Sequence, residues 1–256
     1  MIFILLPAFN EEKTLPRLLE KIIAFGKGHG GQVTTLVCND SSTDKTLEAI
    51  KPFENQMNLA IINHSINRGL GETSRDLFEK AASLAKKDDI IIRMDADDTH
   101  SPKYIPAMLE RLDLGYDIVI ASRFAKGGGQ KGVDLYRGMI SRAANLFMKI
   151  IFPVRGVREY SCGFRAYRAG IIKKAISIYG NNFIQLKGLG FTGTLEKLIK
   201  LNLIGAKFSE IPFVLRYDLK DSPSKMVTSI TTMGYLVMAV LYHWPWRGWR
   251  VTYKKY

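Results

Sequence analysis

The chain has 256 residues, 46% of them hydrophobic, and carries 37 Lys and Arg against 24 Asp and Glu, a net charge of +13. That length and apolar content support one large core and exclude a disordered chain. Two cysteines, Cys38 and Cys162, exclude a disulfide framework, and both are expected reduced in an intracellular compartment. The positive charge points to nucleic acid, anionic lipid or a phosphorylated substrate. Its excess lies after Arg123, with no helix-turn-helix pattern and no basic and aromatic RNA-binding sheet, so lipid or phosphate is the expected partner and nucleic acid is not.

Met1–Leu6 lacks a basic n-region and runs at once into Pro7-Ala8-Phe9-Asn10-Glu11-Glu12, so it reads as a first strand, Ile2–Leu6, rather than a leader. Further strands are predicted at Val33–Cys38, Leu59–Asn63, Ile90–Met94 and Ile118–Ala121, and helices at Glu11–Phe25, Thr43–Phe53, Gly69–Lys86 and Pro102–Leu112. Strands alternating with helices imply a mostly parallel sheet covered on both faces, with ligands beyond the carboxyl ends of its strands. Pro7–Glu12, Asn39–Asp44 and Asp95–His100 each follow a strand, so the three segments are expected at one sheet edge.

The second half is less regular. Gly127-Gly128-Gly129 forms a flexible loop flanked by Arg123, Lys126 and Lys131, followed by a helix over Leu135–Phe152. Ser161–Arg168 reads as a strand entering a turn, with a helix near Thr192–Asn202 and a strand near Ala206–Val214. From Met226 to Trp246 there is no Lys, Arg, Asp or Glu. The mostly apolar part from Met233 is shorter than a spanning helix requires. Trp244, Trp246 and Trp249 cluster there with Arg247, Arg250, Lys254 and Lys255, a composition suited to the headgroup level of a membrane. A core helix with a solvated basic tail is the alternative. The expected division is residues 1–225 as the folded domain and 226–256 as an interfacial segment.

Asp95 and Asp97 flank Ala96 after an apolar strand, and alternate strand residues share a side. Their oxygens suit a hard cation such as Mg²⁺ or Mn²⁺ that shares its shell with substrate phosphates, although a polar turn would use the same residues. Asp40 can accept hydrogen bonds from a nucleobase, uracil or guanine alike, whereas Thr43 and Asp44 read as helix caps. Glu11 and Glu12 suit either a ribose or a helix start.

The ordered set Pro7–Glu12, Asn39–Asp44, Asn67-Arg68-Gly69-Leu70-Gly71 and Met94-Asp95-Ala96-Asp97 resembles the family-2 glycosyltransferases of the GT-A fold. Ala121–Phe124, Ser161–Arg168 and Glu210–Met226 narrow the resemblance to the polyprenyl-phosphate glycosyltransferases. The resemblance implies a Rossmann-like α/β domain with a carboxy-terminal interfacial helix. It implies that Pro7, Ala8, Asn10 and Glu11 line the nucleotide, with Asp40 at the base and Asp95 and Asp97 on the metal. It also implies Arg123 and Arg137 at the acceptor phosphate, and Ser224 and Lys225 over the diphosphate. The activity so implied is inverting transfer of a hexose from a GDP-mannose or UDP-glucose type donor to a dolichyl or undecaprenyl phosphate, peripherally at the cytoplasmic membrane face. The alternative is transfer to a sugar hydroxyl, which requires a positioned carboxylate. Relatives of that kind carry an acidic pair before a late helix, where Thr192-Gly193-Thr194-Leu195-Glu196 offers Glu196 alone. Thr99, Asp98, Arg93 and Asp221-Ser222-Pro223 depart from the family pattern.

Overall fold

The computed structural model describes residues 1–189, 192–220 and 228–243. Nine strands lie among them: β1 (Ile2–Ala8), β2 (Val33–Asn39), β3 (Asn58–Asn63), β4 (Ile90–Arg93), β5 (Ile118–Ser122), β6 (Gly129–Lys131), β7 (Arg165–Arg168), β8 (Phe208–Pro212) and β9 (Val214–Arg216). The helices are α1 (Thr14–His29), α2 (Thr46–Ile50), α3 (Gly69–Leu84), α4 (Ile105–Asp113), α5 (Leu135–Ile151), α6 (Ala169–Tyr179), α7 (Thr192–Leu203) and α8 (Thr228–His243). Seven strands form one sheet in the order β3-β2-β1-β4-β7-β5-β8, with β7 alone antiparallel to its neighbours.

Every residue of β1 is buried, as a strand covered on both faces requires. One face packs on Leu77, Phe78 and Ala81 of α3, the other on Leu15, Leu18 and Ile22 of α1. The chain lays β1, β2 and β3 to one side and then crosses to β4 on the other. The switch point between β1 and β4 is therefore where a ligand crevice is expected, and it brings Pro7–Glu12 beside Asp95–His100.

The α/β architecture agrees with the sequence reading, with three local differences. The helix predicted over Thr43–Phe53 is α2 plus a 3₁₀ turn at Lys51–Asn55, because Pro52 cannot continue an α-helix. Helix α6 was not anticipated: Gly170 and its isoleucines weaken the helical signal, while Ile172 and Ala175 bury against the core. The glycine loop is tighter than expected, since a Cβ on Gly128 would overlap the Ser122 carbonyl oxygen, and Gly129 opens β6, which pairs with β9.

Helix α8 has two faces. Thr231, Met238 and Tyr242 are buried, with Tyr242 edge-on to Phe152, whereas Met233, Leu236 and Val240 are exposed. Among the described residues no helix is long and apolar enough to cross a membrane.

Candidate active site

The first two strand-end segments are stitched together. Asn10, at a left-handed φ of 52°, donates its backbone N–H to Ser42 Oγ at 2.9 Å and accepts from Thr43 N–H at 2.8 Å. The Glu11 N–H donates to Thr46 Oγ1 at 2.7 Å, the Glu12 N–H to Asp44 Oδ2 at 3.2 Å, and the Lys45 N–H to Glu12 Oε2 at 3.0 Å. Asp44 also accepts from Thr46 N–H at 2.9 Å at the start of α2, whose N-cap is Lys45, whereas Thr43 faces Asn10. Glu11 is buried and accepts from Thr14 Oγ1 at 2.5 Å at the start of α1. Pro7 and Ala8 end β1, paired with Cys38 and Asn39.

Asp40 lies at the same edge, buried. Its Oδ1 accepts from Arg68 N–H at 2.9 Å and its Oδ2 from Gly69 N–H at 2.8 Å, which ties it to the first turn of α3. The Asn67-Arg68-Gly69 motif thus folds around the Asp40 carboxylate. Cys38, just before it, is buried and its thiol is pushed up to about 12, mainly by that burial.

Strand β4 ends at Arg93, so Asp95 and Asp97 sit in a turn, and their convergence comes from that turn rather than from strand alternation. Asp95 Oδ1 lies 2.5 Å from Arg93 Nη1, and its N–H donates to His100 Nδ1 at 2.9 Å. That bond places the His100 proton on Nε2, which is 3.4 Å from Asp95 Oδ2. Burial keeps His100 below its ordinary value and so favours the neutral ring. Burial alone would raise Asp95, but Arg93, His100 and Lys220 hold it below the usual carboxylate range. Asp97 accepts from Thr99 Oγ1 at 2.6 Å and is ion-paired to Lys220. Burial acts to lower Lys220, and the Asp97 and Asp95 carboxylates together raise it.

The Lys220 ammonium paired with Asp97 is a stand-in for a cation, and the carboxylate oxygens of Asp95 and Asp97 are a donor set that fits Mg²⁺ or Mn²⁺. Among the described residues no cluster of three His, Cys, Asp or Glu forms, so such an ion would complete its shell with water and phosphate oxygens. Asp98 does not join it: it is buried with a φ of 60°, 2.6 Å from Lys21 Nζ. Thr99 serves the Asp97 carboxylate rather than a metal. Arg93, a departure from the family pattern, also has a physical role. Its guanidinium lies where a side chain on Gly163 would be, so a Cβ there would overlap Arg93 Nη1.

Arg123, expected at an acceptor phosphate, belongs to one buried ion pair. Arg123, just after β5, donates from Nε and Nη2 to Glu159 at 2.8 and 2.9 Å, from Nη2 to Ser161 Oγ at 2.7 Å, and from Nη1 to Ser141 Oγ at 3.3 Å. Glu159 is fully buried and also accepts the Ser161 and Cys162 N–H groups at 3.0 Å each. Burial alone would raise it, but Arg123 and these donors hold it below its ordinary value. Sequence reading missed Glu159, although it is the sole acid between Asp134 and Glu196. Arg137 is placed differently: its side chain is 63% exposed on the first turn of α5, 3.3 Å from Asp134, against 11% for Arg123. Ser224, Lys225 and the Trp244–Trp249 cluster lie outside the described residues.

Glu196 is buried. Its Oε2 accepts the Gln185 and Leu186 N–H groups at 2.9 and 3.0 Å, and its Oε1 lies 2.7 Å from Lys200 Nζ and 3.3 Å from the Tyr242 hydroxyl. It is a structural carboxylate, in keeping with its reading as a helix residue.

With this geometry in place, a family model described as glycosyl transferase family 2 matches residues 3–176. The chain belongs to that family. Within it, the chain is 28% identical over 211 residues to dolichol-phosphate mannosyltransferase of Pyrococcus furiosus, covering 82% of this chain and 55% of that protein. It is 27% identical over 175 residues to polyprenol monophosphomannose synthase of Mycolicibacterium smegmatis, covering 67% and 63%. It is 25% identical over 249 residues to the undecaprenyl-phosphate 4-deoxy-4-formamido-L-arabinose transferase of Pectobacterium atrosepticum, covering 93% and 70%. The chain thus spans a little over half of the first of these relatives. Among solved structures, glucosyl-3-phosphoglycerate synthase from Mycobacterium tuberculosis, in complex with Mn²⁺, UDP and glucosyl-3-phosphoglycerate, superposes with a TM-score of 0.57 at 17% identity, covering 94% of this chain and 78% of that one. That likeness shows the fold, which for this family-2 chain is GT-A.

Proposed function

We propose that this family-2 chain transfers a hexose from a nucleotide sugar to a polyprenyl phosphate at a membrane surface, with inversion. The observation that carries the choice of acceptor is Glu196. A hydroxyl acceptor needs a general base, and the one carboxylate near the start of α7 is buried and held by two backbone N–H groups, Lys200 and Tyr242. A phosphate acceptor is already an anionic nucleophile and needs none. The three relatives named above support the same reading.

In this reading Asn10 and Glu11 border the nucleotide, Asp40 faces the base, and Asp95 and Asp97 hold a divalent cation. That cation would neutralise charge on the departing nucleoside diphosphate. Lys220, now paired with Asp97, would have to yield that carboxylate to the cation. Arg123, fixed by Glu159, offers a planar donor set to the acceptor phosphate, and Arg137 adds a second cation from α5. Attachment to the membrane is supported by the outer faces of α5 and α8. Leu135 and Met139 are 89% and 68% exposed, beside Arg137 and Arg142, and α8 presents Met233, Leu236 and Val240.

The test is incubation with GDP-mannose and UDP-glucose, with a short polyprenyl phosphate or a free sugar as acceptor, with and without Mn²⁺ or Mg²⁺. The expected product is the polyprenyl-phosphate sugar, formed only with the metal. Transfer to the free sugar in its place would overturn the acceptor assignment.

A further inference from the structure

Between the first turns of α3 and α7 lies a small, partly open cavity of about 10 Å³, with room for one small substituent rather than a sugar ring. Leu70 and Ser74 line it from α3, Thr194 and Lys197 from α7, and Arg93 from the end of β4. Ser74, Arg93 and Lys197 are each 5% exposed or less. Among the described residues, neither the Lys197 amine nor the Ser74 hydroxyl has a hydrogen-bond partner. Lys197 Nζ lies 5.2 Å from the centroid of the Phe78 ring and 3.8 Å from where a Cβ on Gly193 would stand.

The charge around the cavity is one-sided. Arg165 is buried and donates to the Cys162, Thr194 and Tyr160 carbonyls, none of which carries a charge. Glu196 precedes Lys197, but its oxygens already accept from Gln185, Leu186, Lys200 and Tyr242. Burial, with Arg93 and Arg165, pushes Lys197 well below its ordinary value. An amine donates N–H bonds with or without its third proton. Buried donors without acceptors are costly, so this set points to a ligand that brings acceptor oxygens.

Arg93 Nη1 pairs with Asp95, so the cavity adjoins the carboxylate proposed to hold the metal on the donor diphosphate. In a nucleotide sugar the group attached to that diphosphate is the sugar. We propose that Lys197, Arg93 and Ser74 bind a carboxylate on the transferred sugar, which makes the donor a nucleotide hexuronate. This deepens the reading of Asp95 as part of the donor site and rests on it.

The full chain is titrated calorimetrically, in the presence of Mn²⁺, with two matched pairs: UDP-glucose and UDP-glucuronate, GDP-mannose and GDP-mannuronate. The members of a pair differ only at C6, hydroxymethyl against carboxylate, so their ratio cancels the base, the diphosphate and the metal. In the series that binds, wild type should hold the uronate about tenfold more tightly. Lys197→Met fills the same space without a donor and should bring the ratio close to one. Its melting temperature should not fall, because the group removed is a buried amine without a partner. Ser74→Ala should reduce the ratio about two- to threefold, and with the wild-type ratio it keeps the test intact if Lys197→Met does not fold.

A wild-type ratio of one or below, or a ratio that Lys197→Met leaves unchanged, would overturn the inference while the donor reading stands. If Lys197→Met weakens UDP or GDP alone as much as the uronate, the cavity serves the diphosphate and the sugar assignment falls. If neither pair binds and neither do UDP and GDP, the donor reading fails and the inference with it.

Discussion

The proposed donor and acceptor halves of the site are held by different physics. Around Asn10, Asp40 and Asp44 the contacts are short bonds between backbone N–H groups and side-chain oxygens of neighbouring loops, so strand order alone brings the partners together. Around Arg123 the geometry depends on one carboxylate, Glu159, 36 residues further along the chain, and beside it α5 turns apolar side chains outward. The proposed donor half is braced by bonds between neighbouring loops. The proposed acceptor half has a rigid centre and, among the described residues, an outer face whose apolar side chains are exposed.

The largest expected effect tests that rigid centre. Arg123→Met leaves the Glu159 carboxylate buried without a cation, which costs about 3–5 kcal/mol. The pH dependence should change sign. In the wild type Glu159 is held below its ordinary value, so the pair's contribution is full above the usual carboxylate range and is lost as pH falls through the lowered folded value. In the variant, burial without a partner raises the carboxyl, and stability should increase as pH falls from 7 towards 5. Urea denaturation at several pH values checks this. Parallel profiles in the two proteins would mean that Glu159 does not depend on Arg123.

A smaller effect is expected on the donor side, and on catalysis rather than stability. Asp97→Asn removes one anionic oxygen donor and weakens the Lys220 pair, so kcat should fall about 10²–10³-fold. The melting temperature should change little, because Lys220 can still bond the amide oxygen while Thr99 Oγ1 accepts from the amide N–H. Loss of the fold with loss of activity would make Asp97 a structural residue.

This contrast also explains what the sequence could reveal. β1, β2, β4 and β5 were legible because strands buried on both faces are written as continuous apolar runs. The polar segments that follow them were legible because a parallel sheet sends its loops to one edge. Asp98 could not be placed from sequence, since its partners Lys21 and Arg17 lie on α1. Lys220 meets Asp97 across 123 positions, and no local pattern encodes such a pairing. Glu159 left one trace, as a lone acid in a long basic stretch. Pairing it with Arg123 needed β7 to enter the sheet antiparallel, which positions Ser161–Phe164 beside β5.

The smallest effect concerns the uncovered outer face. Deleting everything from Val227 is a poor probe of the membrane surface, because it also removes Met238 and Tyr242 from the core. Leu135→Ser with Met139→Ser avoids this, as both side chains are exposed and should leave the melting temperature unchanged. Fully burying such a side chain is worth about 1.5–3 kcal/mol, so partial insertion of the pair predicts roughly tenfold weaker binding to anionic vesicles. Raising the salt should weaken both proteins in parallel, because Arg137, Arg142 and Lys149 remain in each. If sedimentation with vesicles shows equal binding, α5 is not the contact face. The exposed side of α8 would then have to carry the membrane on its own, and the acceptor half would lose the feature that most distinguishes it from the donor half.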